Sequence, residues 1–127
     1  MAVKVVDASA VAAMLFGEAE AGKIAARLRG NSLFATGILL FEIANICLTK
    51  MRRSPSQREA LLSGFAAYDD MAIEIVDIDQ TEMLMSAEIF GLTSYDASYL
   101  CLAMRLGAEL VTLDRKLDAA ARGRPQP

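Results

Sequence analysis

The sequence predicts an α/β/α sandwich, with a central and mainly parallel sheet of about four or five strands flanked by helices. Short runs rich in β-branched and aliphatic residues alternate with longer helical patterns along the whole chain. Such alternation is typical of parallel strands that are connected by helices. A chain of 127 residues is one domain of ordinary size, so we expect a single core over residues 1–121. Residues 122–127 are polar and are expected to form a disordered tail.

Four strands are predicted from short apolar runs. They cover residues 3–6, 32–36, 73–76 and 110–113. The first run contains Val3, Val5 and Val6 and stops abruptly at Asp7, before small residues that can open a helix. We therefore expect a buried strand with a carboxylate at its tip.

Seven helices are predicted from apolar residues at helical spacing and from residues that begin or end helices. They cover residues 9–16, 18–29, 37–53, 55–71, 81–90, 95–106 and 115–121. Ser54 is expected to cap the fourth helix, because Pro55 suits the first turn. Gly91 is expected to stop the fifth helix, and Gly107 to end the sixth in a left-handed turn.

The composition excludes several kinds of chemistry. There is no histidine, so mechanisms based on Ser-His, Cys-His or a histidine general base are impossible. Cys47 and Cys101 lie in apolar, helical stretches without a partner for a zinc site, and they are expected to be buried, inert thiols. The formal net charge of −3 does not attract a polyanion, so nucleic-acid binding requires local basic clusters or bound cations.

The apolar content predicts a cytoplasmic protein that has a partner. Asp7 interrupts the N-terminal apolar stretch, which argues against a signal peptide. The longest apolar region, residues 33–48, contains Glu42 and Asn45 and is shorter than the ~20 residues of a membrane span. Hydrophobic residues make up 54% of the chain, and we expect another subunit or a partner to cover part of this surplus.

Three aspartates are predicted to meet at one edge of the sheet. Asp7 follows the first strand and Asp114 follows the fourth, and the carboxyl ends of parallel strands share an edge where ligands bind. Asp96 lies in the first turn of the helix that leads into the last strand, so it is expected there too. Each also has a purely structural explanation, because Asp7 and Asp114 suit N-caps and residues 93–96 fit a capping box.

Glu42 is harder to explain by structure alone. Its helical neighbours Ile38, Leu39 and Ile46 are apolar, and a lone carboxylate is costly to bury unless it is paired or close to a cation. A partly exposed groove between helices also tolerates it. Converging carboxylates without histidine or cysteine suit a hard cation such as Mg²⁺ or Mn²⁺. Such an ion activates water and binds a phosphodiester, so nuclease chemistry is our hypothesis.

Four segments of the chain resemble, in order and spacing, those of the PIN-domain ribonucleases. They are Val-Val-Asp-Ala-Ser-Ala at 5–10, Leu-Phe-Glu-Ile-Ala-Asn at 40–45, Thr-Ser-Tyr-Asp-Ala-Ser-Tyr-Leu at 93–100 and Leu-Val-Thr-Leu-Asp-Arg-Lys-Leu at 110–117. The compact length resembles that of the VapC toxins of VapBC toxin–antitoxin pairs. Two features depart from the family pattern: Gly37 stands where many relatives have proline, and no obvious final strand follows Ala121.

The resemblance implies a site, a cofactor and partners. The catalytic and metal-binding residues that it implies are Asp7, Glu42, Asp96 and Asp114, with Mg²⁺ or Mn²⁺ as the cofactor. Ser9 and Thr112 would be polar supports near the metal, and Asn45 would line the groove. The resemblance also implies an RNA substrate, a homodimer and a VapB-type antitoxin whose tail covers the acidic groove. Asp118 lies one turn after Asp114 and either assists the site or is a solvated helix residue.

Two basic clusters are candidates for contact with RNA. Lys50, Arg52 and Arg53 follow the helix of Glu42, and Arg115 and Lys116 follow Asp114. Both clusters are predicted to flank the acidic groove. The alternative is that they are solvated helix residues, and in the first cluster the cations also suit the helix dipole.

Other functions remain open at this point. A PIN-like protein-binding module without nuclease activity would keep the fold and the dimer surface. A haloacid-dehalogenase-like phosphatase needs a second acid where Ser9 stands. A response-regulator receiver needs an acidic pair that is missing, although Asp77 or Asp79 imitates its phosphorylated aspartate.

Overall fold

The computed structural model describes residues 2–123 and contains four strands and seven α-helices in that range. The strands are β1 (Val3–Val6), β2 (Ser32–Thr36), β3 (Glu74–Val76) and β4 (Glu109–Val111). The helices are α1 (Ala8–Leu15), α2 (Ala21–Leu28), α3 (Leu39–Arg53), α4 (Arg58–Ala66), α5 (Gln80–Phe90), α6 (Ser94–Leu106) and α7 (Arg115–Ala121). No helix within residues 2–123 has the length and apolar character needed to cross a bilayer.

The strands form one parallel sheet in the order β3-β2-β1-β4. In the central strand β1, Val5 lies opposite Phe34 of β2 and Leu110 of β4. Val5 and Val6 are fully buried, as expected for a strand that is covered on both faces. The predicted parallel α/β fold is therefore confirmed, and the carboxyl ends of all four strands share one edge.

Helix α6 contains the longest continuous run of buried residues among the described helices. Its residues from Ala97 to Ala103 are all buried, and it packs against β1 and β2. Small side chains such as Ala97 and Ser98 let its backbone approach the sheet closely. Because α6 begins at Ser94, at the edge where the strands end, its first turn faces the tip of β1.

The predicted helix over residues 55–71 is interrupted. A 3₁₀ turn (Pro55–Gln57) precedes α4, and a second one (Ala67–Met71) follows it. A β-carbon at Gly64 would lie 2.5 Å from the carbonyl oxygen of Leu15, so glycine allows α4 to press against the end of α1. The predicted cap at Ser54 is wrong, because its side chain accepts no capping hydrogen bond from this segment.

Other boundaries differ by a few residues. Helix α2 is shorter than predicted, and β4 ends at Val111, so Thr112 lies beyond the ladder. Gly91 and Gly107 adopt the predicted left-handed conformation, with φ of 65° and 61°. Of the predicted tail, Arg122 and Gly123 form a turn that closes α7, and residues 124–127 lie outside the described part of the chain. The predicted burial of both cysteines is confirmed.

Candidate active site

Asp7 occupies the tip of β1 and is almost fully buried, with 4% of its surface exposed. Three donors hold its carboxylate. The backbone amide of Ala10 and the hydroxyl of Ser9 donate to Oδ1 at 3.1 and 2.7 Å, and Thr112 Oγ1 donates to Oδ2 at 2.6 Å. Asp7 is therefore the predicted N-cap of α1 and is also bonded to the end of β4.

Ser9 and Thr112 connect Asp7 to the backbone beyond β4. The amide of Leu113 donates to Ser9 Oγ at 2.9 Å, and the amide of Asp114 donates to Thr112 Oγ1 at 3.0 Å. Because each hydroxyl has only one proton, and each gives it to Asp7, the orientation of both hydroxyls is fixed. This network fastens the tips of β1 and β4 to one carboxylate.

Asp96 and Asp114 both lie at helix starts. Asp114 caps α7, since the amide of Leu117 donates to its Oδ1 at 2.8 Å. Thr93 caps α6 by accepting from the amide of Asp96 at 3.1 Å, which leaves the Asp96 carboxylate free of that capping role. The capping explanation is thus confirmed for Asp7 and Asp114. Both residues also lie at the edge of the sheet where the first turn of α6 places Asp96.

Glu42 lies in α3 and is half-buried, and Tyr99 of α6 is its partner. The Tyr99 hydroxyl donates to Glu42 Oε1 at 2.7 Å. Tyr99 is 1% exposed, and a buried tyrosine hydroxyl needs such an acceptor. Sequence reasoning missed this role. The available signal was that a tyrosine and a glutamate both stood in apolar stretches and both needed a polar partner.

The carboxylates are close enough to disturb each other. Burial raises the pKa of Asp7 above its ordinary value, the three hydrogen bonds pull that pKa part of the way back, and the charge of Asp96 raises it further. Burial likewise raises the pKa of Glu42, with Tyr99 opposing the rise and the charges of Asp96 and Asp7 adding to it. Burial and the charge of Asp114 raise the pKa of Asp96. The four acids therefore form one electrostatic cluster.

The donor chemistry of this cluster fits a hard divalent cation. It offers carboxylate oxygens, with hydroxyls around Asp7, and neither histidine nor thiolate. A cation would also relieve the mutual repulsion that raises the three pKa values. The fit does not extend to a ready-made cage, because within residues 2–123 no three acidic, histidine or cysteine side chains lie close enough to hold a metal ion as they stand.

Asn45 shares an open cavity with Glu42. This cavity has a volume of about 400 Å³ and is lined by Ile38, Phe41, Glu42, Asn45 and Tyr95. Asp118 lies elsewhere, since its carboxylate accepts from Arg122 Nε at 2.9 Å and it lines a cavity with Gly107 and Ala108. Gly107 and Ala108 directly precede β4, so Asp118 faces the opposite edge of the sheet from the other acids.

The two basic clusters differ in position. Lys116 is close enough to Asp96 for its charge to oppose the rise in the pKa of Asp96, and Arg115 is its neighbour at the start of α7. Lys50 instead pairs with Glu18 at 3.0 Å. The cations of α3 begin eight residues after Glu42, which is about 12 Å along the helix. The structure therefore brings only the second cluster together with the carboxylates.

Comparisons with known proteins cover nearly the whole chain. The model of the PIN domain family matches residues 4–123. The structure is similar to the crystal structure of PAE2754 from Pyrobaculum aerophilum, with a TM-score of 0.76 and 27% identity over 97% of this chain and 87% of that one. It also resembles Mycobacterium tuberculosis VapC20, described as a sarcin-ricin loop cleaving toxin, with a TM-score of 0.65 and 17% identity over 92% and 94% of the two chains. No curated protein matches.

Proposed function

The chain belongs to the PIN domain family, and from this membership we propose that it is a metal-dependent ribonuclease that hydrolyses RNA phosphodiester bonds and acts as the toxin of a toxin–antitoxin pair. PIN domains are generally nucleases that use divalent metal ions. The observation that carries the proposal is the cluster of Asp7, Glu42, Asp96 and Asp114 at the carboxyl edge of the sheet. Burial raises the pKa values of Asp7, Glu42 and Asp96, and the charge of a neighbouring acid adds to each rise, which is an unfavourable arrangement for a protein that binds no cation there.

In this mechanism the four carboxylates would hold Mg²⁺ or Mn²⁺. When bound, the cation supplies Lewis-acid stabilisation of the charge that develops on the phosphodiester. Ser9 and Thr112 orient the Asp7 carboxylate and favour its ionised form, and Tyr99 fixes one oxygen of Glu42. Attack by water, and not by the ribose 2′-hydroxyl, leaves a 5′-phosphate and a 3′-hydroxyl on the products.

Contacts with the RNA backbone are assigned to Arg115 and Lys116. They adjoin the carboxylates, and they offer positive charge on a chain whose net charge is −3. Lys50, Arg52 and Arg53 lie further along α3, so a role in RNA binding requires a substrate that extends along that helix.

The proposed partners are a second copy of the chain and a VapB-type antitoxin. A toxin role is supported by the PIN match and by the likeness to VapC20. A protein interface is supported by apolar side chains that are exposed on α5 and α6, among them Leu84, Ile89 and Met104. Sedimentation of the purified protein tests the dimer, and a monomer mass that is independent of concentration would contradict it.

Cleavage of RNA by the purified protein tests the nuclease proposal. We expect cleavage that requires Mg²⁺ or Mn²⁺ and is lost in Asp7→Asn. The expected loss is about 10²–10³-fold, since a metal ion contributes several kcal/mol and each 1.36 kcal/mol is tenfold in rate. Products that carry a 2′,3′-cyclic phosphate would contradict attack by water.

The second candidate function is a PIN-like protein-binding module without nuclease activity. It is favoured by one observation, namely that the acids within residues 2–123 do not stand in a ready-made metal cage. Absence of cleavage of any RNA, together with absence of metal binding by calorimetry, would replace the nuclease proposal with this one.

A further inference from the structure

Two aromatic side chains are placed unlike all the others in this protein. The chain has five phenylalanines and three tyrosines, and all eight lie within residues 2–123. Six of them are buried or half-buried, whereas Phe41 is 79% exposed and Tyr95 is 61% exposed. Aromatic side chains contribute most when they are desolvated, so a pair left in water contributes little to the stability of this fold.

Both exposed aromatics line the same cavity, the one that contains Glu42 and Asn45. Phe41 and Glu42 lie four and three residues before Asn45, so all three lie on the same side of α3, and Ile38 immediately precedes that helix. Tyr95 comes from the first turn of α6. Each aromatic also immediately precedes an acid of the candidate active site, since Phe41 precedes Glu42 and Tyr95 precedes Asp96. The aromatic cavity therefore shares Glu42 with the acidic cluster.

We propose that this cavity binds an unpaired nucleobase of the RNA substrate beside the phosphate that is cleaved. The aromatic faces of Phe41 and Tyr95 stack on the base, and the exposed amide of Asn45 donates to and accepts from its edge. This inference rests on the proposed function, and it deepens that function by assigning Phe41, Tyr95 and Asn45 to a subsite for one base of the substrate.

The chemistry of the cavity favours a base over other ligands. Aromatic side chains stack on unpaired bases whatever their sequence, and asparagine is a common hydrogen-bonding partner of base edges. The volume of about 400 Å³ falls within the range of about 300–1,000 Å³ of small-molecule sites. Bases in an A-form duplex are already stacked and cannot enter such a cavity.

Electrostatics give a second reason for a stacking site. Non-specific affinity for RNA comes mainly from cations that contact phosphates, yet this chain has a net charge of −3 and a substrate site made of carboxylates. Stacking supplies affinity that does not depend on positive charge. It also fixes one nucleotide, so the neighbouring phosphate is held at the acidic cluster instead of sliding past it.

The test is the binding of a short oligoribonucleotide that contains the fluorescent base 2-aminopurine, whose emission falls when it stacks. All variants are made in the Asp7→Asn background, so that cleavage in Mg²⁺ is too slow to affect the binding measurement. Phe41→Ala and Tyr95→Ala are each expected to raise Kd about 5- to 150-fold, since removing a stacking side chain costs about 1–3 kcal/mol per base and 1.4 kcal/mol is tenfold. The parent protein is expected to quench the probe base, and each variant to quench it less.

Matched variants separate stacking from simple apolar contact. Phe41→Trp is expected to keep the affinity because it keeps the aromatic face, whereas Phe41→Leu is expected to lose almost as much as Phe41→Ala. Leu62→Ala, which truncates a 38% exposed apolar side chain on α4, should leave Kd and quenching unchanged. The same probe base placed in a duplex should bind weakly to every variant.

Three results would overturn the proposal. They are unchanged affinity in Phe41→Ala and Tyr95→Ala, full retention of affinity in Phe41→Leu, and equal affinity for the duplex. If RNA binding is unchanged but a variant that combines Phe41→Ala and Tyr95→Ala loses self-association in sedimentation, the two aromatic side chains belong to an interface between two copies. Metal-dependent cleavage by the wild type is measured separately. Cleavage without base binding would contradict only the stacking site, and base binding without cleavage would contradict only the nuclease proposal.

Discussion

The two sides of the candidate active site are built differently. On the strand side, Asp7 is buried, and three donors from Ser9, Ala10 and Thr112 hold both of its oxygens. On the helix side, Glu42 and Asp96 are half-buried, and Glu42 has one side-chain partner, Tyr99. The strand side is fixed by the same bonds that join β1 to the residues after β4, whereas the helix side depends on how α3 and α6 pack.

This difference indicates that the strand side of the site is held in one arrangement before a ligand binds, whereas the helix side has fewer contacts to hold it. The oxygens of Asp7 cannot move without breaking the network that also satisfies the amides of Leu113 and Asp114. Glu42 lines an open cavity, and both Glu42 and Asp96 are only half-buried, so both carboxylates retain access to water. We expect the loss of a hydrogen-bonding partner on the strand side to cost more in both stability and activity than the same loss on the helix side.

Thr112→Val tests the strand side and should have the largest effect among the variants that keep all four acids. It removes the donor to Asp7 Oδ2 and the acceptor for the amide of Asp114. We expect cleavage to fall about 10- to 100-fold, as for partners that orient metal ligands. Unfolding in urea should show a loss of about 1–3 kcal/mol, the cost of leaving buried polar groups unpaired.

Thr36→Val is the matched control for that substitution. Thr36 is a buried threonine at the end of β2, and its hydroxyl donates to Ser98 Oγ at 2.9 Å, because Ser98 gives its own proton to the carbonyl of Tyr95. We expect a smaller loss of about 0.5–1.5 kcal/mol and little change in cleavage. Equal losses of activity in the two variants would mean that Thr112 acts through general stability and not through Asp7.

Tyr99→Phe tests the helix side and should have a smaller effect. It removes the hydrogen bond that lowers the pKa of Glu42 against the larger effect of burial, so that pKa rises further. Because the site needs ionised Glu42, the acid limb of the pH–rate profile should move to higher pH. At alkaline pH the rate should fall less than about tenfold, since water can replace the lost donor at a half-exposed carboxylate.

The control for this variant is Tyr68→Phe, which removes the hydroxyl of a half-buried tyrosine in the 3₁₀ turn after α4. Its pH–rate profile should match that of the wild type. If both variants shift the acid limb equally, the shift does not come from Glu42, and the assignment of Tyr99 as a positioning residue is wrong.

The strand side was largely predictable from the sequence, and the helix side was not. An apolar run that ends at Asp7 predicts both a buried strand and the edge on which its carboxylate lies, because parallel strands end together. The partnership of Tyr99 and Glu42 joins residues 57 positions apart on two helices. Helical spacing fixes which residues share a face, but it does not fix how two helices are rotated against each other.

The same limit explains three further differences. The helix predicted over residues 55–71 is interrupted at both ends of α4, and the position of α4 depends on the close approach of Gly64 to Leu15, a contact between segments far apart in sequence. Both basic clusters were equally plausible beside the acids, because local sequence does not show that α3 carries Lys50 away from the site while α7 keeps Lys116 near it. The exposure of Phe41 and Tyr95 could not be predicted from the sequence either, because apolar residues in helical patterns are usually assigned to the core.

Removing charge from each side should change the stability of the metal-free protein. The folded pKa of Asp7 is raised above its ordinary value of 3.8, so its neutral form favours folding, and that contribution is lost as pH rises through the folded pKa. Asp7→Asn stays neutral, so at pH 7 it should melt a few degrees above the wild type, and the gap should close below about pH 4. Glu42→Gln should show the same sign with a smaller gap, because Glu42 is only half-buried.

Addition of Mg²⁺ or Mn²⁺ sharpens that measurement. A cation that binds only the folded state should raise the melting temperature of the wild type and reverse the order relative to Asp7→Asn. If metal raises both melting temperatures equally, the cation binds somewhere other than Asp7. If Asp7→Asn is less stable than the wild type at pH 7 without metal, its hydrogen bonds outweigh the cost of burying its charge.

The comparison extends to the cations, where the expected effects are smallest. Arg115 stands beside Asp114 on the strand side, whereas Arg53 lies eleven residues, or about 16 Å, beyond Glu42 along α3. Arg115→Glu should weaken RNA binding and reduce the slope of log affinity against log salt by about one, the value for one lost phosphate contact. Arg53→Glu should change that slope less, because a phosphate held at the acids lies far from it. An equal change in both slopes would mean that the RNA runs along the whole of α3, and the helix side would then carry the longer part of the substrate.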